Sequence, residues 1–369
     1  MPEALDKAAV RAEAARLLSA FQDAGAVVVE TPILQPAETL LDLYGEDIRG
    51  RAYVTHDPIM GEAMLRPDFT VPVVERHMAE GAEPARYAYA GEVFRKQEND
   101  PHRAPEYFQV GYEVFDRTDP AASDAEVFAL FHDLLAPLNL RAATGDMGIL
   151  MAAVNGLSTT ERRRRALLRH LWRPRRFRSL IDRFSGRAPN PEGREALAKG
   201  DPFAGLDAPF IGLRTRAEVE ERVAALAEDM ATPPIPEAEV ALLSDLLGIR
   251  ETLSNACEHL RDLAVDMPAI ASAVERFAAR NEAIKARGID PDGIDFEGSF
   301  GRTTLEYYDG FVFGFHSVAR PDLPAVATGG RYDALTRVLG RGREIPAVGG
   351  VIRPELTHAL GRLREGSAT

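Results

Sequence analysis

The alternation of apolar and polar residues between positions 86 and 116 predicts two β-strands joined by a long, charged loop. In the second strand Gln109, Gly111 and Glu113 are two positions apart, so their side chains should face the same way. Because Gly111 has no side chain, we expect room between the amide and the carboxylate for a small molecule with an ammonium group. Long loops are often functional, and a solvated hairpin is the simpler alternative.

Apolar residues recur every three or four positions in several other segments, a spacing that predicts amphipathic helices. The first lies within residues 1–18, and another covers residues 125–138. Most of the others fall between positions 161 and 287, where proline and glycine interrupt the pattern at residues 188–203 and 232–236. The chain therefore mixes strands with helices, and its central part is mostly helical.

The composition is that of a folded globular protein. Of the 369 residues, 45% are hydrophobic and 27% are charged, which is enough to build a sizeable core. No apolar run reaches the roughly 18 residues of a membrane span, and the N-terminal segment lacks a signal-peptide core, so we expect a cytoplasmic protein. The single cysteine, Cys257, excludes an internal disulfide, and its helical spacing from His259 argues against a zinc site.

The net charge of -13 argues against a nucleic-acid partner, because most affinity for nucleic acids comes from neutralising phosphates. The exception is an arginine-rich run at residues 161–184, which holds the only tryptophan. Its residues Leu167, Leu168, Leu171 and Trp172 share an apolar helical stripe, and Pro174 ends the first helix. A pair of solvated helices is a simpler interpretation than nucleic-acid contact, and a protein or phosphate-rich partner is a further alternative.

The two predicted strands and their loop resemble the second motif of class II aminoacyl-tRNA synthetases, in particular histidyl-tRNA synthetase. Five further segments resemble other motifs of that family, in the same order. They are GAVVVETPILQPAETLL (25–41) for the first motif, MLRPDFT (64–70) for the amino-acid-binding loop, LEYYDGFVFGF (305–315) and TGGRYDAL (328–335) for the histidine-specific motifs, and PAVGGVIRPELTHAL (346–360) for the third motif. Their order and spacing identify the chain as a member of this family.

The resemblance implies a histidine-binding pocket. Six positions match residues that hold histidine in the family, with aspartate replacing glutamate at the first: Asp68, Thr70, Gln109, Glu113, Tyr308 and Tyr332. The residue types suit this role by themselves, since carboxylates bind ammonium groups and tyrosines form rigid walls with polar tips. An ordinary strand face with satisfied polar groups is the alternative. The second motif also implies anion or phosphate binding by Arg95 and Arg103.

Two arginines that the family uses to activate amino acids are absent. The position two residues before the LEYY tetrapeptide is Thr303, and Leu356 occupies the arginine position of the third motif. Arg302 is adjacent, but in an extended segment a shift by one residue turns the side chain to the opposite face. Adenylyl transfer depends on positioned positive charge, so the departures from the family pattern imply no catalytic residues, and we expect no cofactor and no metal.

The matched segments imply an α+β fold, a class II synthetase-like, mostly antiparallel sheet flanked by helices. We expect residues 1–150 and 290–363 to form this core and residues 151–289 to form a mostly helical insertion. The chain extends only a few residues past the third motif, so we expect no C-terminal anticodon-binding domain. The first motif forms a dimer interface in the family, which implies at least a homodimer.

This combination resembles the synthetase-like paralogue family that regulates ATP phosphoribosyltransferase in histidine biosynthesis. The resemblance implies a non-catalytic regulatory subunit that joins a short catalytic subunit in a hetero-oligomer, activates it, and mediates feedback inhibition by L-histidine. We expect neither a nucleic-acid nor a membrane partner. Two alternatives remain open: a truncated histidyl-tRNA synthetase or other amino-acid-activating ligase, and a stand-alone histidine- or tRNA-binding module.

Overall fold

The structure, a computed structural model, describes residues 6–44, 48–96, 104–191, 193–201, 203–204, 211–302 and 307–367. Its strands are β1 (Val27–Val28), β2 (Leu34–Pro36), β3 (Val54–Asp57), β4 (Gly61–Leu65), β5 (Ala85–Phe94), β6 (Glu106–Phe115), β7 (Arg141–Asp146), β8 (Arg250–Thr252), β9 (Asp295–Glu297), β10 (Phe311–His316), β11 (Ala327–Arg331) and β12 (Ala347–Ile352). In this part of the chain they form a nine-stranded sheet, β1-β5-β6-β12-β11-β10-β7-β9-β8, and a three-stranded sheet, β2-β4-β3.

Helices cover one face of the large sheet and much of the middle of the chain. They are α1 (Lys7–Asp23), α2 (Ala37–Tyr44), α3 (Ile48–Arg51), α4 (Thr70–Glu80), α5 (Pro120–Leu135), α6 (Met147–Asn155), α7 (Glu161–Arg169), α8 (Pro174–Phe184), α9 (Arg194–Lys199), α10 (Arg216–Ala231), α11 (Glu237–Gly248), α12 (Leu253–Asp266), α13 (Ala271–Ala286), α14 (Asp333–Leu339) and α15 (Pro354–Ser367). Helices α1 and α5 pack on the sheet, and α13 packs on α5.

The predicted α+β fold with a mostly antiparallel sheet is confirmed. Strand pairs in the large sheet are antiparallel except β1 with β5 and β7 with β9, and the strands come from both ends of the chain. The segment 151–289 contains α7 to α13, but it also supplies β8, which pairs with β9 and extends the sheet. The domain boundaries stay a prediction.

Alternating residues of β6 and β12 separate the two faces of the large sheet. Tyr112 packs against Phe21 of α1 with ring centroids 5.3 Å apart, and a Cβ at Gly350 would lie 3.1 Å from the ring of Phe131 in α5. Their neighbours Glu113 and Gly349, which are paired across the two strands, therefore point to the opposite face. That face is left open by α1 and α5.

Two helix predictions need correction. Helix α5 begins at Pro120 rather than at residue 125, because Asp119 accepts a hydrogen bond from the backbone N–H of Ala122 and proline is favoured in the first turn. Helix α7 ends at Arg169, so Leu171 and Trp172 lie in the turn before α8 instead of continuing the helical stripe.

The interpretation of the arginine-rich run as solvated helices is wrong for Arg163. Its guanidinium is buried and donates to an Asp229 carboxylate oxygen at 2.6 Å and to the carbonyl oxygens of Asp229 and Pro233 at 2.6 and 2.8 Å. The carboxylate and the carbonyls lie at and after the end of α10, where helix carbonyls lack intrahelical partners. Arg163 therefore joins α7 to the end of α10, whereas Arg162 and Arg165 remain largely exposed.

Candidate functional site

A cavity of about 1170 Å³ lies on the face of the large sheet opposite α1 and α5. Its lining includes all six residues predicted to hold histidine, which are Asp68, Thr70, Gln109, Glu113, Tyr308 and Tyr332. Arg95 also lines the cavity, whereas Arg103 and Thr303 lie outside the described residues. The structure therefore brings together side chains from β6, from the start of α4 and from the segments around β11. The volume exceeds that of most small-molecule pockets, so it can hold more than one ligand group.

The Glu113 carboxylate lies in the floor of this cavity and accepts three hydrogen bonds from hydroxyl groups. Tyr89 and Thr70 donate to Oε1 at 2.8 and 3.0 Å, and Tyr332 donates to Oε2 at 2.5 Å. Burial raises the pKa of Glu113 to about 7, although the three hydroxyl donors favour the charged form. A cationic ligand group would supply the positive charge that this carboxylate lacks among its described neighbours.

The space predicted above Gly111 is filled by a tyrosine, so that expectation is wrong. Tyr89 lies opposite Gly111 in the β5–β6 pairing, and a Cβ at Gly111 would come within 2.1 Å of its ring. The ring stacks on Phe69 with centroids 4.4 Å apart while its hydroxyl reaches Glu113. An aromatic side chain over a cross-strand glycine buries its ring and still satisfies its polar tip. Gly111 thus makes room for a supporting side chain.

Asp68 and Gln109 supply further acceptors at the cavity surface. Burial raises the pKa of Asp68, and the nearby charge of Arg95 opposes this shift. Arg95 itself donates from Nε to the carbonyl oxygen of Pro67 at 2.7 Å. The Oε1 atom of Gln109 is buried and has no hydrogen-bond partner among the described residues. Buried polar atoms are normally paired, so this amide oxygen is suited to accept an N–H group from a ligand.

Two tyrosines that sequence reasoning did not select belong to the site. Tyr89 holds Glu113, and Tyr307 lines the cavity and donates to the Thr70 hydroxyl at 3.4 Å. The rings of Tyr307 and Tyr308 meet edge to face with centroids 4.7 Å apart. The available signals were the position of Tyr89 opposite a glycine and the paired tyrosines of the LEYY tetrapeptide.

The wall opposite the sheet comes from the central helical segment, which no sequence motif indicated. Phe177 and Arg178 of α8 and Leu243 and Leu247 of α11 line the cavity there. Arg302 also lines it and turns toward this wall, where its Nε donates to the carbonyl oxygen of Leu171 at 2.9 Å.

The third-motif departure is visible at the edge of the cavity. Leu356, in the first turn of α15, lines the cavity and offers no charge. Arg353 lies two residues before Glu355, donates to the carbonyl oxygen of Ala325 at 2.5 Å and is positioned 5.6 Å from the ring of Tyr107. The guanidinium that the family places in this region is thus replaced by an apolar side chain, with another arginine nearby.

Among the described residues, no group of three or more His, Cys, Asp or Glu side chains could hold a metal ion. Cys257 is buried in α12 as a free thiol. None of the described helices combines the length and apolar character needed to cross a membrane.

A family model described as histidyl-tRNA synthetase matches residues 3–198 and 214–355. Curated proteins from Brucella canis and Brucella anthropi, each named ATP phosphoribosyltransferase regulatory subunit, are 34% identical to this chain over 346 residues, covering 88% of it and 90% of each relative.

Solved structures agree on the fold. A Bacillus halodurans C protein titled ATP phosphoribosyltransferase regulatory subunit/histidyl-tRNA synthetase has a TM-score of 0.68 at 22% identity, covering 98% of this chain and 81% of its own. Histidyl-tRNA synthetase from Nostoc sp. PCC 7120 has a TM-score of 0.65 at 19% identity, covering 100% of this chain and 75% of its own. The chain belongs to the histidyl-tRNA synthetase-like family of ATP phosphoribosyltransferase regulatory subunits.

Proposed function

We propose that this chain is a non-catalytic regulatory subunit that binds L-histidine in the cavity, activates a short ATP phosphoribosyltransferase catalytic subunit and mediates its feedback inhibition by histidine. The observation that carries the proposal is the buried Glu113 carboxylate on the same face of β6 as Gln109, whose amide oxygen has no partner among the described residues. The names of the relatives at 34% identity support the same role.

The cavity chemistry matches the functional groups of histidine. Its imidazole and ammonium N–H groups are donors, and Glu113, Asp68 and Gln109 present acceptors for them. Its carboxylate needs a cation, and Arg95 lies close enough to Asp68 to act on the charge of that side chain. Burial strengthens each of these interactions, because little water is present at the cavity floor to screen the charges.

Regulation requires only that histidine binds unequally to two states of the assembly. We assign no chemistry to this chain, because Leu356 replaces the third-motif arginine and Thr303 replaces the arginine before the LEYY tetrapeptide.

A specific observation favours an amino-acid-activating ligase as the second candidate. Arg51, Lys96 and Arg353 also line the cavity and could contact phosphates.

The first motif supports a homodimer within the assembly. Val27, Val28, Ile33 and Leu34 are exposed apolar residues clustered in β1, β2 and the segment between them. Exposed large apolar side chains that recur within one short segment are typical of a contact with another protein. A second copy of the chain fits, since a two-fold dimer uses the same surface on both subunits.

The test is reconstitution with the short catalytic subunit from the same organism. Mixing should give a stable hetero-oligomer in analytical ultracentrifugation, raise phosphoribosyl transfer above that of either protein alone, and make it sensitive to histidine. The variant Glu113→Gln should assemble and activate normally, yet shift the histidine inhibition curve by about tenfold or more. Inhibition identical to wild type in an assembled mutant complex would mean that histidine is sensed elsewhere.

A further inference from the structure

A buried cation that the histidine pocket does not use packs against the wall formed by the central helical segment. Arg302 is 6% exposed, its guanidinium lies 4.7 Å from the centroid of the Phe177 ring, and its Nε donates to the Leu171 carbonyl oxygen. Its Nη2 atom is buried and has no hydrogen-bond partner among the described residues. No carboxylate is paired with it in that part of the chain. A buried guanidinium without an acceptor is unusual, since buried charges are normally paired.

A second positive feature points to the same wall. Helix α8 begins at Pro174, which lines the cavity, and no side chain caps its N-terminus. Its first turn therefore presents unpaired N–H groups and the positive end of the helix dipole. Arg178, one turn further on, is exposed and lines the cavity. Burial and the charge of Arg178 lower the pKa of Arg302 to about 10, so Arg302 is cationic at neutral pH.

The negative charges nearby do not cancel this set. Asp182 lies four residues after Arg178 on α8 and lines the cavity, and it offsets one of the two cations. Arg187, another lining residue, is paired with Glu237 at 3.3 Å. Glu297, which also lines the cavity, is paired with Arg141 at 2.7 Å, so one net positive charge and the end of the α8 dipole remain. Guanidinium groups and helix N-termini both favour phosphate oxygens over neutral ligands.

We propose that this wall is a second subsite, in which Arg302, Arg178 and the N-terminus of α8 bind the phosphate group of a small molecule. The subsite is built from the central helical segment and Arg302, whereas the histidine pocket is built from β6, the start of α4 and the segments that hold Tyr308 and Tyr332. The proposal does not depend on whether the chain senses histidine.

The only tryptophan provides a direct readout. Trp172 follows Leu171, whose carbonyl oxygen holds Arg302, so its fluorescence should respond when an anion reaches the guanidinium. Inorganic phosphate and pyrophosphate are titrated at constant ionic strength, with fluorescence and calorimetry as parallel measurements. We expect saturable binding below about 10 mM, and acetate should bind at least tenfold more weakly. Absence of saturation, or acetate binding as tightly as phosphate, overturns the assignment.

Matched variants locate the bound anion. Arg302→Gln and Arg178→Gln should each weaken phosphate binding by about tenfold, and Arg302→Lys should lose less because it keeps the charge. Arg162→Gln, exposed on α7 and outside the cavity lining, and Arg95→Gln, in the histidine pocket, should each change it by less than about twofold. If Arg302→Gln does not fold, the exposed Arg178 still tests the site. Phosphate binding that depends on Arg95 and not on Arg178 or Arg302 refutes the proposal.

Discussion

The substitution Glu113→Gln should weaken the binding of L-histidine without lowering the stability of the protein. It removes the charge at the cavity floor and keeps the size of a side chain that receives hydrogen bonds from Tyr89, Thr70 and Tyr332. Loss of one charge-assisted hydrogen bond should weaken L-histidine binding by about 1.5–3 kcal/mol, which is about tenfold to 150-fold in Kd. Isothermal titration calorimetry at pH 8, where the wild-type carboxylate is mostly ionised, measures this difference.

The same substitution should stabilise the free protein above neutral pH. The pKa of Glu113 is raised from 4.5 to about 7 by burial, so ionisation opposes folding. This cost is absent below about pH 4.5, grows as the pH rises and is complete above about pH 7. A shift of this size corresponds to at most about 3 kcal/mol. Urea unfolding of Glu113→Gln should therefore match wild type at pH 4.5 and exceed it at pH 8.

Glu126→Gln is the matched control, because it changes the same residue type away from the cavity. Burial raises the pKa of Glu126, but hydrogen bonds from Arg86 at 2.6 Å and from Tyr112 at 2.7 Å outweigh it and lower the pKa overall. This variant should lose stability at pH 8 and keep its histidine affinity. Unchanged histidine affinity in Glu113→Gln contradicts the proposed pocket, and lower stability of that variant at pH 8 contradicts the argument from the buried charge.

Two other predictions address the absent chemistry and the central helical segment. The purified protein should not exchange labelled pyrophosphate into ATP in the presence of histidine, because Leu356 lacks the guanidinium that adenylate formation requires; histidine-dependent exchange at an enzymatic rate favours the ligase alternative. Arg163→Ala should lower the free energy of unfolding by about 1–3 kcal/mol in urea titrations, because it leaves the carbonyl oxygens of Asp229 and Pro233 without their buried donor, while Arg194 still pairs with the Asp229 carboxylate. Arg162→Ala, an exposed control on the same helix, should change it by less than about 0.5 kcal/mol, and equal effects of the two variants refute the argument.

Local sequence patterns predicted what lies within single strands and motifs. The period of two correctly placed Gln109 and Glu113 on one face, because strand geometry alone fixes that relation. The same pattern gave a wrong prediction at Gly111, because it describes one strand only. The space beside this glycine is filled by Tyr89 from the neighbouring strand. Strand register, which decides such pairs, depends on the partner strand as much as on the sequence in question.

The opposite wall of the cavity could not be predicted for a different reason. Phe177 and Leu243 have the spacing of ordinary amphipathic helices, and nothing in that spacing indicates which surface such a helix meets. The predicted direction of the Arg302 side chain assumed an extended segment. Its position is set instead by the Leu171 carbonyl and the Phe177 ring, more than a hundred residues earlier in the chain. Contacts between distant segments carry no local signal.

The assembly of the site from distant segments also bears on how a ligand could regulate. Gly349 pairs with Glu113, and a Cβ there would come within 1.6 Å of Oε2, so a glycine lets the carboxylate lie against β12. Hydroxyls from Tyr89 and Tyr332, on segments far apart in sequence, then fix the two carboxylate oxygens. The floor is thus rigidly determined by the sheet, while the facing wall belongs to the central helical segment. A ligand that contacts both surfaces binds best at one spacing between them. A partner that changes this spacing therefore changes the affinity for the ligand, and the ligand changes the affinity for the partner by the same free energy.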